Sequence, residues 1–295
     1  MKNFALYCKS YKRDVLRAKE LLQSVNQFNV SNIPFYISTP KEDESLFKDH
    51  LGSHGYIWIS DESIIKLNPY TNKNIIEKFP RGLAQQVIKS EFWRLGLCKN
   101  YLCLDSDAKF IREFSESDFI HADGTPLTIA HTADDFIAEV KREGRNYILR
   151  NMEDECHNLM SFFDRKGTEY DFGPAPFIWS SDVWQWLSDY LWESRRMSLW
   201  DAIALHSTEM RWYGEAVLHS KTITFHPITP LFKVYHYEWQ FKNDQLKKIT
   251  ESTLKEKYIG VIYQSNWDKK LEPKEFQKPL LSRCWRFIKQ NYLKK

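Results

Sequence analysis

The segment 101–107, YLCLDSD, restricts the possible folds more than any other part of the sequence. Its first four residues are apolar on both faces of a predicted strand, which is typical of the middle of a parallel sheet covered on both sides. Asp105 and Asp107 then follow at the carboxyl end of that strand, where open α/β sheets bind their ligands. The segment therefore predicts an α/β fold with a pair of carboxylates at the ligand-binding edge of the sheet.

The amino-terminal residues predict a βαβ opening. A strand over 4–11 precedes an amphipathic helix over 14–28, and a second strand follows over 34–40. Asp14 is the expected N-cap of that helix, because an Asp side chain readily accepts a hydrogen bond from an unpaired backbone N–H.

Two later segments bear on a possible site. A helix is predicted over 82–97, directly before the apolar strand, and it places Gln86 and Lys89 on a face separate from its apolar stripe. Residues 221–226, KTITFH, are predicted to form a strand that ends at His226.

The net charge of +3 is unevenly distributed along the 295 residues. Five Lys and Arg residues and no acid lie in 281–295, so the other 280 residues carry a net charge of −2. A nearly neutral body is poorly suited to binding nucleic acid, whose phosphates attract basic surfaces. We therefore expect no nucleic-acid partner.

The cysteines favour a reducing compartment. All five are widely spaced and none belongs to a CxxC pair, which argues against a disulfide framework or a zinc knuckle. The sequence also contains no apolar run long enough for a signal peptide or a membrane span. The expected location is the cytoplasm, with peripheral binding to the inner face of the plasma membrane as an extension.

A D-x-D pair at the end of a strand suits a divalent cation, Mn²⁺ or Mg²⁺, with positions left for phosphate oxygens. Such a cation neutralises the charge that develops on a departing nucleotide diphosphate. The plain alternative is an Asp-Ser-Asp turn that only ends the strand, because both residue types are common in turns.

The apolar strand ending in DSD resembles the metal-binding motif of GT-A-fold glycosyltransferases. The segments RGLAQQVIKSEFWRLG and TEMRWYGEAV are similar to two segments of a bacterial group of these enzymes. The resemblance covers about residues 1–240. It implies a Rossmann-like mixed sheet, mostly parallel and sandwiched by helices, within a domain at 1–272. Residues 1–110 would bind the nucleotide sugar and 111–272 the acceptor, followed by a linker and tail helix at 273–295.

The same resemblance implies an activity. The chain would be a metal-dependent glycosyltransferase of the hexosyltransferase type, working in bacterial polysaccharide biosynthesis. It would move a sugar from a nucleotide diphosphate sugar, with UDP-sugars favoured, to a hydroxyl of a surface glycan or a lipid-linked acceptor.

The resemblance also implies roles for individual residues. Asp107 and Asp105 would bind the metal, with His236 preferred over His226 as a further ligand; either histidine has a packed or surface position as its alternative. The residues expected to contact the donor are Lys9, Ser10, Tyr11, Arg13, Gln86, Lys89, Asp105, Ser106 and Gly173. Trp179 is a candidate for stacking on the sugar, Glu209 for the catalytic base, and Asp201 for a reserve base.

Three other functions use some of the same residues. In a haloacid-dehalogenase-type phosphatase, Asp105 would attack phosphorus and Asp107 would act as acid and base. Asp134 and Asp135 would then be its downstream metal pair. A D-x-K nuclease would use Asp107 with Lys109, and a non-catalytic carbohydrate-binding protein would explain the many tryptophans.

Residues 281–295 form a basic amphipathic pattern. Written as a helix, they place Leu281, Trp285, Ile288 and Tyr292 on one face and the basic side chains around the remainder. A basic helix with Trp on its apolar side suits an anionic membrane surface, where each Lys or Arg contributes about 1 kcal/mol. The alternative is that the apolar face packs on the protein's own body.

The tail pattern leads to a first prediction. The protein should pellet with anionic vesicles, and added salt should weaken this binding because the attraction is electrostatic. Truncation after Lys278 should abolish pelleting and leave the melting transition of the body unchanged. If the truncated protein loses its cooperative transition, the tail belongs to the core and the membrane hypothesis fails.

Overall fold

A central five-stranded sheet organises the computed structural model, which describes residues 2–71, 79–273 and 276. The strands are β1 (Lys2–Lys9), β2 (Phe35–Thr39), β3 (Ile57–Ser60), β4 (Cys98–Asp105), β5 (Ala108–Phe110), β6 (Thr128–Ile129), β7 (Phe177–Ser180), β8 (Pro227–Ile228), β9 (Phe232–Tyr235) and β10 (Gly260–Tyr263). The helices are α1 (Val15–Phe28), α2 (Glu44–Leu51), α3 (Asp61–Ile65), α4 (Arg81–Glu91), α5 (Asp134–Arg142), α6 (Tyr147–Phe162), α7 (Ser181–Arg195), α8 (Leu199–Leu205), α9 (Glu209–Ser220), α10 (Glu238–Leu246) and α11 (Glu251–Leu254).

The central sheet has the strand order β3-β2-β1-β4-β7. Its first four strands are parallel, and β7 pairs with β4 in the antiparallel direction. The register places Lys9 of β1 beside both Ser38 of β2 and Asp105 of β4. The prediction of an α/β fold with a mostly parallel sheet is therefore confirmed, and the architecture is compatible with a Rossmann-like fold.

Helices cover the central sheet on both sides, as the strand patterns require. Alternate residues of β1 and β4 enter two different hydrophobic clusters, because successive side chains of a strand point to opposite faces. Tyr7 and Tyr101 pack with α4, α7 and α9 on one face. Leu6 and Leu104 pack with α1 and α2 on the other. This double burial explains why β4 is apolar at every position from 101 to 104.

A smaller sheet lies next to the end of β4. Its order is β5-β10-β9, with β10 antiparallel to β5 and parallel to β9. Since β5 begins directly after Asp107, this sheet brings residues that follow β9 and β10 toward the carboxylate pair.

The predicted cap at Asp14 is wrong. A 3₁₀ turn, Lys12–Asp14, precedes α1, so Asp14 has a compact backbone (φ −103°, ψ 11°) and lacks the extended conformation of an N-cap. The carboxylate of Asp14 instead accepts a hydrogen bond from Nη1 of Arg17 at 2.6 Å.

The predicted strand over 221–226 is also wrong. Helix α9 ends at Ser220, and Lys221 has a left-handed backbone (φ 54°), so the chain turns at the position where the strand was expected to start. A short pairing of β8 with β6 follows, and the carbonyl of His226 accepts from the backbone N–H of Thr128 at 2.9 Å.

Glu91, the last residue of α4, is a buried carboxylate that binds donors from three other segments of the chain. It accepts hydrogen bonds from Arg94, from Nδ2 of Asn68 at 2.6 Å and from Nε1 of Trp200 at 2.9 Å. Its side chain is fully buried and that of Arg94 is 10% exposed. Removal of this carboxylate therefore leaves a buried cation and two buried donors without their partner.

From this arrangement we predict that Glu91→Ala lowers the free energy of unfolding by about 3–5 kcal/mol, the usual cost of removing one partner of a buried ion pair. Urea denaturation followed by circular dichroism measures the effect. Glu238→Ala is the matched control, because Glu238 pairs with Lys242 at an exposed position and should matter little. An equal, small effect of both variants would contradict the prediction.

No helix among residues 2–71, 79–273 and 276 combines the length and apolar character needed to cross a bilayer. The predicted tail helix at 281–295 and most of the predicted linker lie outside the described residues.

Candidate active site

Polar side chains gather at the carboxyl edge of the central sheet, where the four parallel strands end. Lys9 closes β1, Asp61 follows β3, and Asp105 closes β4. Parallel strands bring their carboxyl ends to one edge, and the register places Lys9 and Asp105 side by side. The carboxylate pair predicted from the sequence therefore lies at the expected ligand-binding edge.

Lys89 joins two candidate residues from distant parts of the chain. Its Nζ lies 2.5 Å from Oδ1 of Asp105 and 3.6 Å from Oε1 of Glu209. Helix α4 packs over β1 and carries Lys89 inward, while Glu209 is the first residue of α9, which packs against α4. Lys89 and Glu209 are both buried, and Asp105 is partly exposed. The three side chains form a cluster with two carboxylates and one ammonium group.

The cluster strongly favours the charged form of Lys89. Burial by itself lowers the pKa of this amine, but the charges of Asp105 and Glu209 outweigh burial and raise the pKa above its usual value. For Glu209, burial raises the pKa of the carboxyl group, Lys89 opposes that rise, and Asp105 adds to it. Lys89 thus supplies a counter-charge for the buried carboxylate of Glu209 and the partly exposed carboxylate of Asp105.

Asp107 lies beside this cluster and is bound by a neutral backbone donor. Its Oδ2 accepts from the backbone N–H of Ser265 at 2.8 Å. Burial, and then the charge of Asp105, raises the pKa of the Asp107 carboxyl group to about 7. Carboxylate oxygens are the ligands that Mg²⁺ and Mn²⁺ prefer, and a cation here would offset the repulsion between the two aspartates. The residues therefore fit the predicted metal.

The chain after β10 forms one side of the site. Nζ of Lys269 donates to the carbonyl of Ser265, and Nη2 of Arg17 donates to the carbonyl of Asp268 at 2.5 Å. Farther along, Nη1 of Arg13 lies 3.8 Å from Oε1 of Glu272. This segment, residues 264–272, links the first turn of α1 to the neighbourhood of Asp107. Sequence reasoning missed it, because no motif marks a loop whose partners lie at the other end of the chain.

The two residues predicted for the donor at the end of β1 are buried. Nζ of Lys9 lies 2.9 Å from Oδ2 of Asp61, so the amine that was expected to contact the donor is part of a buried ion pair. The backbone N–H of Ser10 donates to the carbonyl of Ser38 at 2.8 Å. Oγ of Ser10 and Oδ1 of Asp61 are buried without a hydrogen-bond partner among the described residues. Both atoms are therefore buried polar groups whose hydrogen-bonding capacity is not satisfied within the described residues.

The next two predicted donor contacts, Tyr11 and Arg13, are partly buried in the loop and 3₁₀ turn after β1. Both directly follow the carboxyl end of β1 in the chain, and their contact with a donor stays a prediction. Ser106, which lies between the two aspartates, is buried.

Helix α4 contributes a residue that sequence reasoning overlooked. Gln85, and not the predicted Gln86, reaches the carboxylate pair, with Nε2 donating to Oδ1 of Asp105 at 3.1 Å. Gln86 donates to Oγ of Ser207 at 3.1 Å, at the approach to Glu209. The adjacent glutamines were both visible in the sequence, but only the orientation of α4 determines which one faces Asp105.

Gly173 lies in a crowded loop. Its carbonyl accepts from Nε2 of His131 at 2.7 Å, and its N–H donates to Oδ1 of Asp171 at 3.2 Å. A Cβ atom at this position would come within 2.9 Å of the Met210 sulfur. Because that sulfur belongs to the end of a flexible side chain, a shift of Met210 would admit the Cβ atom, so packing does not by itself require glycine here. The contact of Gly173 with the donor stays a prediction.

The two candidate histidines are in different environments. His236 directly follows β9, its carbonyl accepts from Nδ2 of Asn266 at 3.4 Å, and Asn266 neighbours the residue that binds Asp107. Burial lowers the pKa of His236 to about 4, which keeps its imidazole neutral and able to act as a ligand. His226 instead lies 2.8 Å from Oδ2 of Asp123, in a different group of side chains.

Several other candidates have local structural roles. Asp201 belongs to the capping box of α8, in which its Oδ2 accepts from Oγ of Ser198 at 2.7 Å and from the Ser198 N–H at 2.8 Å. These bonds engage the carboxylate that was expected to act as a reserve base. Trp179, predicted to stack on a sugar, is 2% exposed and packs on Phe177 in the core.

The residues of the rival functions are paired with other groups or exposed. Lys109, needed for a D-x-K nuclease, lies 2.8 Å from Glu251. Asp134 and Asp135, the downstream pair of a phosphatase, are exposed in the first turn of α5, where Asp134 accepts from the Thr132 hydroxyl at 2.7 Å.

No protein-family model matches this chain, and no curated protein matches it.

Proposed function

We propose that this chain is a metal-dependent glycosyltransferase with a GT-A-like fold, which moves a sugar from a nucleotide diphosphate sugar to a hydroxyl group. The observation that carries the proposal is the buried Lys89 between Asp105 and Glu209, next to Asp107. This cluster combines a candidate metal-binding carboxylate and a candidate general base within one site.

The fold supports the donor-binding half of the proposal. The carboxylate pair lies at the carboxyl edge of a mostly parallel sheet, and the buried polar atoms of Ser10 and Asp61 lie along the same edge. A nucleotide offers many donors and acceptors to such groups. Buried polar atoms that lack a partner are costly, so a ligand that satisfies them would bind favourably.

Asp107 and Asp105 would hold Mn²⁺ or Mg²⁺, and His236 is the candidate further ligand. When bound, the cation neutralises the negative charge that develops on the departing nucleotide diphosphate. Of the two aspartates, Asp105 is already paired with Lys89, while Asp107 receives a neutral backbone N–H. Asp107 is therefore the principal ligand in this proposal, and Asp105 has a supporting role.

Glu209 takes the proton from the acceptor hydroxyl as that oxygen attacks the sugar. A base must be ionised to do so, and Lys89 opposes the effect of burial on the Glu209 carboxyl group. Lys89 is also paired with Asp105, so that one buried ammonium group contacts both the metal side and the base side of the site. The acceptor class, a bacterial surface glycan or a lipid-linked glycan, rests on the resemblance of the sequence segments alone.

A thermal-shift screen of UDP-, GDP- and CMP-sugars tests donor binding. One donor should stabilise the protein in the presence of Mn²⁺ and not in its absence. A ligand at 100 times its Kd adds about 2.7 kcal/mol to the free energy of unfolding, which gives a clear shift. Mn²⁺ alone and each sugar nucleotide alone are the controls. The absence of metal-dependent stabilisation by any donor would contradict the proposal.

A phosphatase would give a different result. It would release inorganic phosphate from a phosphomonoester and form an acyl-phosphate on Asp105. A glycosyltransferase gives neither product, and mass spectrometry of the intact protein after brief incubation with a phosphomonoester distinguishes the two.

A further inference from the structure

Two imidazoles and a carboxylate form a close group on the side of the molecule where β6 pairs with β8. Nε2 of His226 lies 2.8 Å from Oδ2 of Asp123, and Nδ1 of His121 lies 3.2 Å from Oδ1 of the same carboxylate. The two histidine rings stack with centroids 3.7 Å apart. One ligand atom from each of these three side chains lies within 4.8 Å of the other two. Among residues 2–71, 79–273 and 276, no other set of three His, Cys, Asp or Glu side chains meets this criterion.

The backbone holds these side chains together from distant parts of the chain. His121 and Asp123 lie in a tight turn, in which the N–H of His121 donates to the carbonyl of Thr125 at 2.8 Å and the N–H of Gly124 donates back at 2.9 Å. His226 directly precedes β8, and its carbonyl accepts from the N–H of Thr128 in β6. Pairing of β6 with β8 therefore determines the position of His226 opposite the turn.

The distances fit a single metal ion. Zn²⁺ binds histidine nitrogen and carboxylate oxygen at about 2.0–2.2 Å, so two ligand atoms on one ion lie about 3 Å apart. The nitrogen–oxygen distances in the group are 2.8 and 3.2 Å. A metal ion in place of the bridging protons would therefore change these nitrogen–oxygen distances little, while the stacked rings would have to rotate so that both nitrogens point at the ion.

The carboxylate also has the supporting contacts that metal ligands usually possess. Oδ1 of Asp123 accepts from the N–H of Thr125 at 2.9 Å and from its Oγ1 at 2.6 Å. Hydrogen bonds of this kind orient a ligating carboxylate before the metal binds. His121 is 45% exposed and His226 is 22% exposed, which gives an ion and completing water molecules access.

From this geometry we infer that His121, Asp123 and His226 form a binding site for a divalent transition-metal ion of the Zn²⁺ class, separate from the Asp105–Asp107 pair. The donor set determines the class, because imidazole nitrogen favours Zn²⁺, Co²⁺ and Ni²⁺, while Mg²⁺ favours oxygen. His226, considered from the sequence as a ligand for the cation at Asp107, has its partners here instead.

A second histidine–carboxylate pair provides the matched control. Nε2 of His157 lies 2.7 Å from Oε1 of Glu169 on an exposed surface, and no third ligand of this group joins them within the described residues. If a single imidazole beside a carboxylate were enough to bind the ion, His157→Gln would weaken binding as much as His226→Gln.

Isothermal titration calorimetry of tag-free protein with Zn²⁺ tests the inference. The visible absorption spectrum of the Co²⁺-substituted protein gives an independent readout of nitrogen ligation. The wild-type protein should bind one Zn²⁺ that excess Mg²⁺ does not displace. His226→Gln and Asp123→Asn should weaken this binding by more than about 100-fold, since loss of a supporting group alone costs about 10–100-fold. His157→Gln and Asp107→Asn should retain it. Circular dichroism of each metal-free variant confirms that the fold is intact.

Three results would overturn the inference. The wild-type protein could fail to bind Zn²⁺ stoichiometrically, His226→Gln could bind it as tightly as wild type, or Asp107→Asn could remove the Mg²⁺-resistant binding. The last result would place the ion at the carboxylate pair. Because neither His226 nor Asp123 has a role in the proposed transfer reaction, failure here leaves the proposed function untouched.

Discussion

Asp107→Asn should abolish sugar transfer at saturating Mn²⁺ and leave the fold intact. A bound cation stabilises the charge on a leaving group by several kcal/mol, which corresponds to a loss of about 10³-fold or more in kcat. Asparagine keeps an oxygen that can accept the backbone N–H of Ser265, so the local loop should persist. Initial rates with the donor identified by thermal shift, together with a melting curve, measure both effects.

A suitable control for this variant is Asp244→Asn. Asp244 is also buried next to the small sheet, where its Oδ2 accepts from the hydroxyl of Tyr235 at 3.1 Å and pairs with Lys233 at 3.1 Å. Asp244→Asn should therefore lower the free energy of unfolding and leave kcat of the folded protein unchanged. Near-wild-type transfer by Asp107→Asn would show that Asp107 does not hold a catalytic metal.

Glu209→Gln should lower kcat by about 10²–10⁴-fold, the usual contribution of a general base, with little change in donor affinity. Glutamine preserves the shape of the side chain and removes its ability to accept the proton. Since Lys89 still has Asp105 as a partner at 2.5 Å, the donor side of the site should remain organised. Transfer kinetics and donor-dependent thermal shifts separate the two quantities.

Glu215→Gln, on the same helix, distinguishes catalysis from packing. Glu215 is equally buried and forms an ion pair with Arg165, in which Nη2 of Arg165 lies 2.7 Å from Oε1. Loss of this ion pair in Glu215→Gln should lower the free energy of unfolding and leave kcat of the folded protein unchanged. A decrease of less than about tenfold for Glu209→Gln would assign Glu209 a structural role. A product with retained anomeric configuration would remove the need for such a base.

The sequence was sufficient to predict the elements whose buried faces can be read from the pattern of their own residues. The run of apolar residues before Asp105 predicted a strand covered on both faces, and β4 lies between β1 and β7 with helices on each side. The 3.6-residue period of α1 was equally readable, because each position reports whether its own side chain is buried. The position of the aspartates at the end of β4 followed from the same pattern.

Local patterns were misleading where the backbone conformation depended on neighbouring elements. Asp14 is of a residue type that is preferred at N-caps, yet it lies in the 3₁₀ turn before α1 and has a compact backbone. Its carboxylate therefore binds Arg17 and does not cap the helix. Residues 221–226 have the composition of a strand, yet the turn that ends α9 and the short pairing of β6 with β8 leave them without a strand partner.

By itself, the sequence determined the fold class and the location of the carboxylate pair, since both follow from which faces of each element are apolar. Only the tertiary structure decided the partners: Lys89 with both Asp105 and Glu209, Lys9 with Asp61, and His226 with Asp123. The physical reason is that a buried face requires apolar residues at regular intervals along the chain, and this period is visible in the sequence. The partner of a charged side chain is instead the group that strand order and helix packing bring within a few ångströms. That group can lie more than a hundred residues away, as Asp123 does from His226, and no local pattern encodes it.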